Sequence, residues 1–307
     1  MLEVIKIEKN FKKLKVLKNI SFNVEPGEIV GILGENGAGK TTILKIITGL
    51  IIQDDGYINI MNQPLNKKSK KNLGLLLEGD RNLFLNYTVK ENIIYFGSLN
   101  GIIGKKLKEN TEELLKKLNL KNIENKIVSD LSRGMKQKLS LATTLIGNPN
   151  IILMDEPFLG LDLESKDIMI KTIKNLLKEK KSIIITSHDM DIMEKLCQRV
   201  IILHKGEILI DETVNTLKQD LLNSKSYTIE YKFNNYNLIK NEIQKNKNII
   251  IENFDKNNFS FSGYKDKNLF YDVINILKDL NVEIISSKQK LPDLKEIYLN
   301  ITKGYEL

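Results

Sequence analysis

One cysteine among 307 residues leaves Cys197 without an intrachain partner. A disulfide framework is therefore excluded, and a reducing compartment fits. Long apolar runs are missing too. No stretch approaches the ~18 uninterrupted apolar residues that a membrane span needs. The opening MLEVIKIEKNF carries acidic residues and no apolar block, so no signal peptide is expected. Charge is less uneven than the total suggests. Lys and Arg number 47 against 39 Asp and Glu, a formal balance of +8. Lysines are spread along the chain beside many Asn and Ile, which reads as compositional bias rather than a patch for nucleic acid or acidic lipid. The densest basic run, KKSKK at 67–71, reads as a solvated loop. The length suits one large domain or two smaller ones, each with its own core.

What is present is a phosphate loop. Residues 34–42, GENGAGKTT, fit G-x-x-x-x-G-K-[ST] through Gly34, Gly39, Lys40 and Thr41. A buried-strand pattern, EIVGIL, precedes them, and a helical pattern, TTILKIITGL, follows. That context lets successive backbone N–H groups of Gly34, Glu35, Asn36, Gly37, Ala38, Gly39, Lys40, Thr41 and Thr42 wrap phosphates at the positive end of a helix dipole. Gly37 and Gly39 should allow close approach where a Cβ would collide. Lys40 can reach the outer phosphates, and the Thr41 hydroxyl can ligate Mg²⁺.

Around this loop the pattern predicts strands at 2–8, 20–24, 56–61 and 73–77, then helices between about 85 and 147. Two doubly buried strands follow at 151–155 and 182–186, separated by a helical stretch. The alternation predicts an α/β core with a largely parallel sheet. A hairpin is expected at 199–212 and a connecting helix with a linker at 213–226. Beyond that, the order is β-α-β-β-α-β, the split arrangement of ferredoxin-like folds. This second region has no Gly-rich loop and no nucleophile constellation, so a structural or regulatory role is expected.

The strand IILMDE ends in two carboxylates. Asp155 can hold Mg²⁺ through its water shell, and Glu156 can act as general base on a water. His188 follows the strand SIIIT. Ligands of parallel sheets gather at the carboxyl ends of the strands, so His188, Asp155 and the phosphate loop are expected on one rim.

LSRGM at 131–135 resembles the LSGGQ signature of ATP-binding cassette (ABC) ATPases, and it starts a helix about twenty residues before the Asp-Glu strand. Residues 1–220 look like one nucleotide-binding subunit of that family, with a helical subdomain at about 79–150 and a separate C-terminal accessory or regulatory domain at 221–307. The resemblance implies a P-loop ABC core that binds ATP and Mg²⁺. It makes Phe11 the aromatic that stacks on adenine, Glu156 the base and His188 the switch histidine. Asp162 falls in the loop that follows the acidic pair. Ser132 and Gly134 would touch ATP held by a second subunit in a head-to-tail dimer, either a homodimer or a pairing with a similar chain. The pattern departs from the family at three places. Glu78 stands where Gln is usual and remains a metal ligand candidate; Arg133 and Met135 replace Gly and Gln of the signature.

There are no coiled-coil insertions and no second cassette, which leaves a transporter ATPase as the leading class. LLEGDRNLF and SRGM are similar to exporter ATPases, and LPDLKEIYLNIT at 291–302 resembles their closing helix. An integral-membrane permease is then the expected partner, received by a groove at about 79–101, with the chain cytoplasmic and peripheral to the inner membrane face. No nucleic acid partner is expected. The alternative is a soluble ABC ATPase that remodels a protein assembly.

Overall fold

The computed structural model describes residues 1–79, 82–221, 224–233, 235–246, 248–264 and 269–290, with 294, 295, 297, 298 and 302 near the end. The chain forms two units, Met1–Thr213 and Val214–Leu307. The first begins with a hairpin, β1 (Leu2–Phe11) and β2 (Leu14–Val24), which turns at Lys12 in the left-handed region. Both strands run further than their apolar residues alone indicate. Pairs such as Lys9↔Leu17 and Phe11↔Leu14 extend the ladder into polar sequence.

β3 (Ile29–Leu33) is buried along its whole length and leads through the phosphate loop into α1 (Lys40–Ile47). β4 (Asp55–Ile60) then returns to pair with β1, and β5 (Gln63–Pro64) closes a four-stranded antiparallel sheet of order β2-β1-β4-β5. Local periodicity does not reveal this sheet, because β1 and β4 pair across about fifty residues. The basic run at 67–71 is not simply solvated. It forms a 3₁₀ turn, Ser69–Asn72, in which Ser69 is buried and Lys70 Nζ donates to the Gly49 carbonyl at 3.3 Å.

β6 (Leu73–Leu76) precedes a helical layer of α2 (Val89–Leu99), α3 (Gly104–Lys117) and α4 (Arg133–Leu145). Thr88 starts α2 with a reciprocal cap: its hydroxyl accepts from the Glu91 N–H, and the Glu91 carboxylate accepts from the Thr88 N–H at 2.8 Å. The alternating half follows: β7 (Ile151–Asp155), α5 (Leu163–Lys178), β8 (Ser182–Ser187), α6 (Met190–Leu196), β9 (Arg199–His204) and β10 (Glu207–Thr213). Six strands order as β10-β9-β3-β8-β7-β6, with every neighbouring pair parallel except β10–β9. The core lies between the two sheets and α1, where Val4, Ile20 and Ile58 meet Ile32, Ile43 and Ile184. Truncating one such isoleucine to alanine would cost about 2–5 kcal/mol. Cys197 is buried beneath β3, where a Cβ at Gly31 would lie 2.9 Å from its Sγ. Burial pushes its thiol up to about 12, so it is an inert core residue.

The second unit contains α7 (Val214–Leu221), β11 (Ser224–Lys232), α8 (Tyr236–Gln244), β12 (Ile250–Phe254), β13 (Asn258–Tyr264), α9 (Leu269–Asp279) and β14 (Glu283–Lys290). Its antiparallel sheet has the order β12-β13-β11-β14, which is the ferredoxin-like topology. One sheet face supplies Ile229, Tyr231, Phe259 and Phe261 to a core completed by Ile239 and Ile243 of α8 and Val273 and Leu277 of α9. The tail at 291–302 lies largely outside the described residues. Among those described, no helix is long and apolar enough to cross a membrane.

Candidate active site

Strand register decides which loops meet. β3, β8 and β7 are neighbours in the parallel sheet, with Leu33 level with Ser187 and Asp155 level with Thr186. The phosphate loop, His188 and the two carboxylates therefore leave the sheet along one edge, as ligands of open parallel sheets require. The loop itself is shaped by two left-handed glycines. Gly39 has φ 110° and caps α1, and a Cβ there would lie 2.6 Å from Leu17. At Gly37 a Cβ would meet no protein atom, so that glycine is set by its φ of 86° and by the space it leaves open, rather than by collision with the protein.

Lys40 is only 7% exposed. Its ammonium donates to the carbonyls of Gly34 at 2.7 Å and Glu35 at 3.1 Å. Burial lowers its pKa from the ordinary lysine value, and the nearby Glu156 and Asp155 oppose that shift. The cation is held inside the loop it serves. One position on, the Thr41 hydroxyl donates to Asp155 at 2.8 Å, which ties the loop to β7 across the intervening β8.

Asp155 is buried and takes a second hydrogen bond from the Thr186 hydroxyl at 2.7 Å. Thr186 in turn accepts from the Glu156 N–H at its Oγ1, 3.2 Å away, and at its carbonyl, 3.1 Å away. These bonds hold Glu156 at φ 46°, a left-handed backbone that costs a non-glycine residue about 1–3 kcal/mol. Its carboxylate lies 3.1 Å from His188 Nδ1. Sequence reading overlooks Thr186, although a threonine in a strand buried at every position is a signal for a hydroxyl with a partner.

Phe11, Leu14 and Val16 of the first hairpin form one wall of a cleft of about 400 Å³. Glu35, Asn36, Gly37, Gly39, Lys40, Thr41 and Thr42 form its floor, and Glu78, Asp155 and Glu156 close it. That volume lies in the usual range for small-ligand sites. Phe11 is 43% exposed, with the Lys9 ammonium 5.6 Å from its ring centroid. One apolar wall, a floor of N–H groups and an acidic end suit a nucleoside phosphate. Among the described residues, no group of three or more acidic, His or Cys side chains is arranged to hold a metal. Mg²⁺ does not need one, since it keeps its waters and combines one or two protein oxygens with substrate phosphates. Thr41, Asp155 and Glu78 are adequate donors for that arrangement.

Ser132, Gly134 and Asp162 do not line this cleft. They form a separate patch where two helix starts meet. Ser132 caps α4, Asp162 caps α5 by accepting from the Ser165 N–H at 2.7 Å, and a Cβ at Gly134 would lie 2.5 Å from Ser165 Oγ. The Ser165 N–H also holds the Asp162 carboxyl below its usual range.

The family described as ABC transporter matches residues 17–159. The ABC transporter ATP-binding protein NatA of Bacillus subtilis (strain 168) is 39% identical over 211 residues, 67% of this chain and 85% of that protein. The Nod factor export ATP-binding protein I of Rhizobium sp. (strain N33) is 36% identical over 217 residues, 70% of this chain and 71% of that protein. Among solved structures, a dimeric ATP-binding cassette in a post-hydrolysis state with ADP and Pi superposes with a TM-score of 0.64 at 27% identity, covering 70% of this chain and 99% of that one.

Proposed function

This chain belongs to the ATP-binding proteins of the ABC transporter family, an ATPase by descent, and on that premise we propose that it powers an exporter through a separate membrane permease. The observation that carries the reading is the continuous chain of hydrogen bonds from Thr41 through Asp155 and Thr186 to Glu156, ending at His188, along the sheet edge where the cleft opens. ATP would lie with adenine against Phe11 and phosphates over residues 34–42 and Lys40. Mg²⁺, held by Thr41, Asp155 and Glu78, would supply charge neutralisation of the phosphates. Glu156 takes the proton of the attacking water, and His188 orients its carboxylate. A glutamate at 78 adds a carboxylate to the lining it shares with Glu156, where the usual glutamine would add none.

The patch of Ser132, Gly134 and Asp162 lies outside its own cleft, which suits a role on nucleotide bound by a second subunit. A head-to-tail homodimer, or a pairing with a similar chain, would then close around ATP and reopen when hydrolysis removes the γ-phosphate. Phe84, Tyr87 and Tyr95 stay partly exposed in a cluster of rings 4.6–6.5 Å apart, which suits the receiving surface for a permease segment. The chain would sit on the inner face of the membrane through that contact. The export direction is supported by relatives whose own names specify export.

The test is an affinity capture with Glu156→Gln plus ATP from detergent-solubilised membranes of the native host. We expect ATP binding to persist, turnover to vanish and one polytopic protein to be recovered in stoichiometric amount. Normal turnover would refute the base assignment. Recovery of soluble proteins alone would favour a remodelling ATPase over transport.

A further inference from the structure

Arg133 departs from the glycine usual at its place in the signature, and the structure shows what the arginine touches there. Its guanidinium lies directly over Gly160: a Cβ built there would collide with it, Nε being 2.8 Å away. Gly160 has φ 69° and belongs to the turn between Glu156 and the α5 cap at Asp162. The turn is held by only two internal backbone bonds, Leu159 N–H to the Glu156 carbonyl at 3.2 Å and Leu161 N–H to the Phe158 carbonyl at 3.3 Å. Gly160 also helps to line a small cavity of about 70 Å³ shared with Glu156 and His188. The exposed Arg133 thus covers Gly160 of a turn that shares this cavity with Glu156.

We propose that Arg133 is a positioning residue that holds the 156–162 turn, and through it the Glu156 carboxylate, in its working geometry. The inference rests on the reading of Glu156 as general base. A flat guanidinium can lie across a bare glycine, whereas a lysine ammonium on its flexible stem cannot cover the same backbone. A Cβ at residue 160 would push the guanidinium aside, so Arg133 and Gly160 are tested as a pair. A carboxylate displaced by a fraction of an ångström from its water loses rate without losing nucleotide affinity.

The experiment measures kcat and the ATP concentration at half-maximal rate in the full-length chain for Arg133→Ala, Arg133→Lys, Arg133→Gln and Gly160→Asn. Asn tolerates the left-handed backbone but carries the Cβ that evicts the guanidinium. We expect about a tenfold fall in kcat for Arg133→Ala, Arg133→Lys and Gly160→Asn, with half-saturation changed less than about twofold. The flat amide of Arg133→Gln should restore part of the rate. Arg133→Ala combined with Gly160→Asn should be no slower than either alone. In the Glu156→Gln background, Arg133→Ala should leave ATP-driven dimerisation unchanged. Unaltered kcat in Arg133→Ala beside an inactive Glu156→Gln overturns this inference and leaves the base assignment standing. A raised ATP requirement for dimerisation with normal kcat also overturns it, in favour of direct phosphate contact by Arg133. Normal turnover in Glu156→Gln overturns both.

Discussion

At the scale of single residues, Glu156, the proposed base, sets folding against function. Its backbone sits at φ 46°, where the Cβ is unwelcome, and two acceptors on Thr186, the hydroxyl and the carbonyl, keep it there by binding its N–H. Glycine adopts that backbone freely, so Glu156→Gly should leave the nucleotide-free protein at least as stable as the parent. The relief of strain, on the order of 1 kcal/mol, offsets the entropy a glycine adds to the unfolded chain. Turnover should nevertheless vanish, because no carboxylate remains. Thermal unfolding beside an ATPase assay checks this, and a clear drop in melting temperature would show that the backbone there is not strained. Lys40 follows the same logic. A desolvated ammonium with a lowered pKa weakens the fold wherever it is charged, and its loop keeps it for what it contacts.

Among the elements, α2 shows how the surface proposed to receive a permease is held in place. Asn92 is fully buried on that helix and binds the loop before it three times. It accepts from the Phe84 N–H at 2.9 Å and donates to the carbonyls of Phe84 and Thr88, each at 3.0 Å. Those bonds fix the rings of Phe84 and Tyr87 against Tyr95. Asn92→Leu would strand buried backbone groups at a cost of about 1–3 kcal/mol. Capture of the membrane partner should weaken several-fold while ATP affinity stays within about twofold, since the cleft shares no residue with this loop. Equal loss of both would mean that the whole cassette had been damaged. Such contacts mark the limit of what the sequence reveals. GENGAGKTT, IILMDE and SIIITSH are each contiguous, and their meeting on one sheet edge is legible because each motif ends a strand of the parallel sheet. The sheet β2-β1-β4-β5, the Thr186 anchor and the Arg133–Gly160 contact join residues far apart in the chain, and no local periodicity encodes those pairings.

For the whole molecule, the division at Thr213/Val214 is a statement about energetics. The two sheets and α1 enclose one apolar cluster, and Ile229, Phe259, Phe261 and their helical neighbours enclose another, with no residue common to both. If each cluster is lost while the other persists, as separate cores predict, calorimetry should resolve two unfolding transitions rather than one. On the proposed reading, ATP would bind the first unit in its native state only. At about 100 times its dissociation constant it adds about 2.7 kcal/mol to that unit and nothing to the other. The expected record is therefore one transition that moves upward with ATP, carrying the cassette, and a second that stays fixed, carrying the ferredoxin-like unit. Leu277→Ala in α9 should lower only the fixed transition, because it opens a cavity in the second core alone. If ATP moved both transitions together, the two cores would melt as one cooperative body, and the C-terminal unit would have to be read as part of the nucleotide-driven cycle.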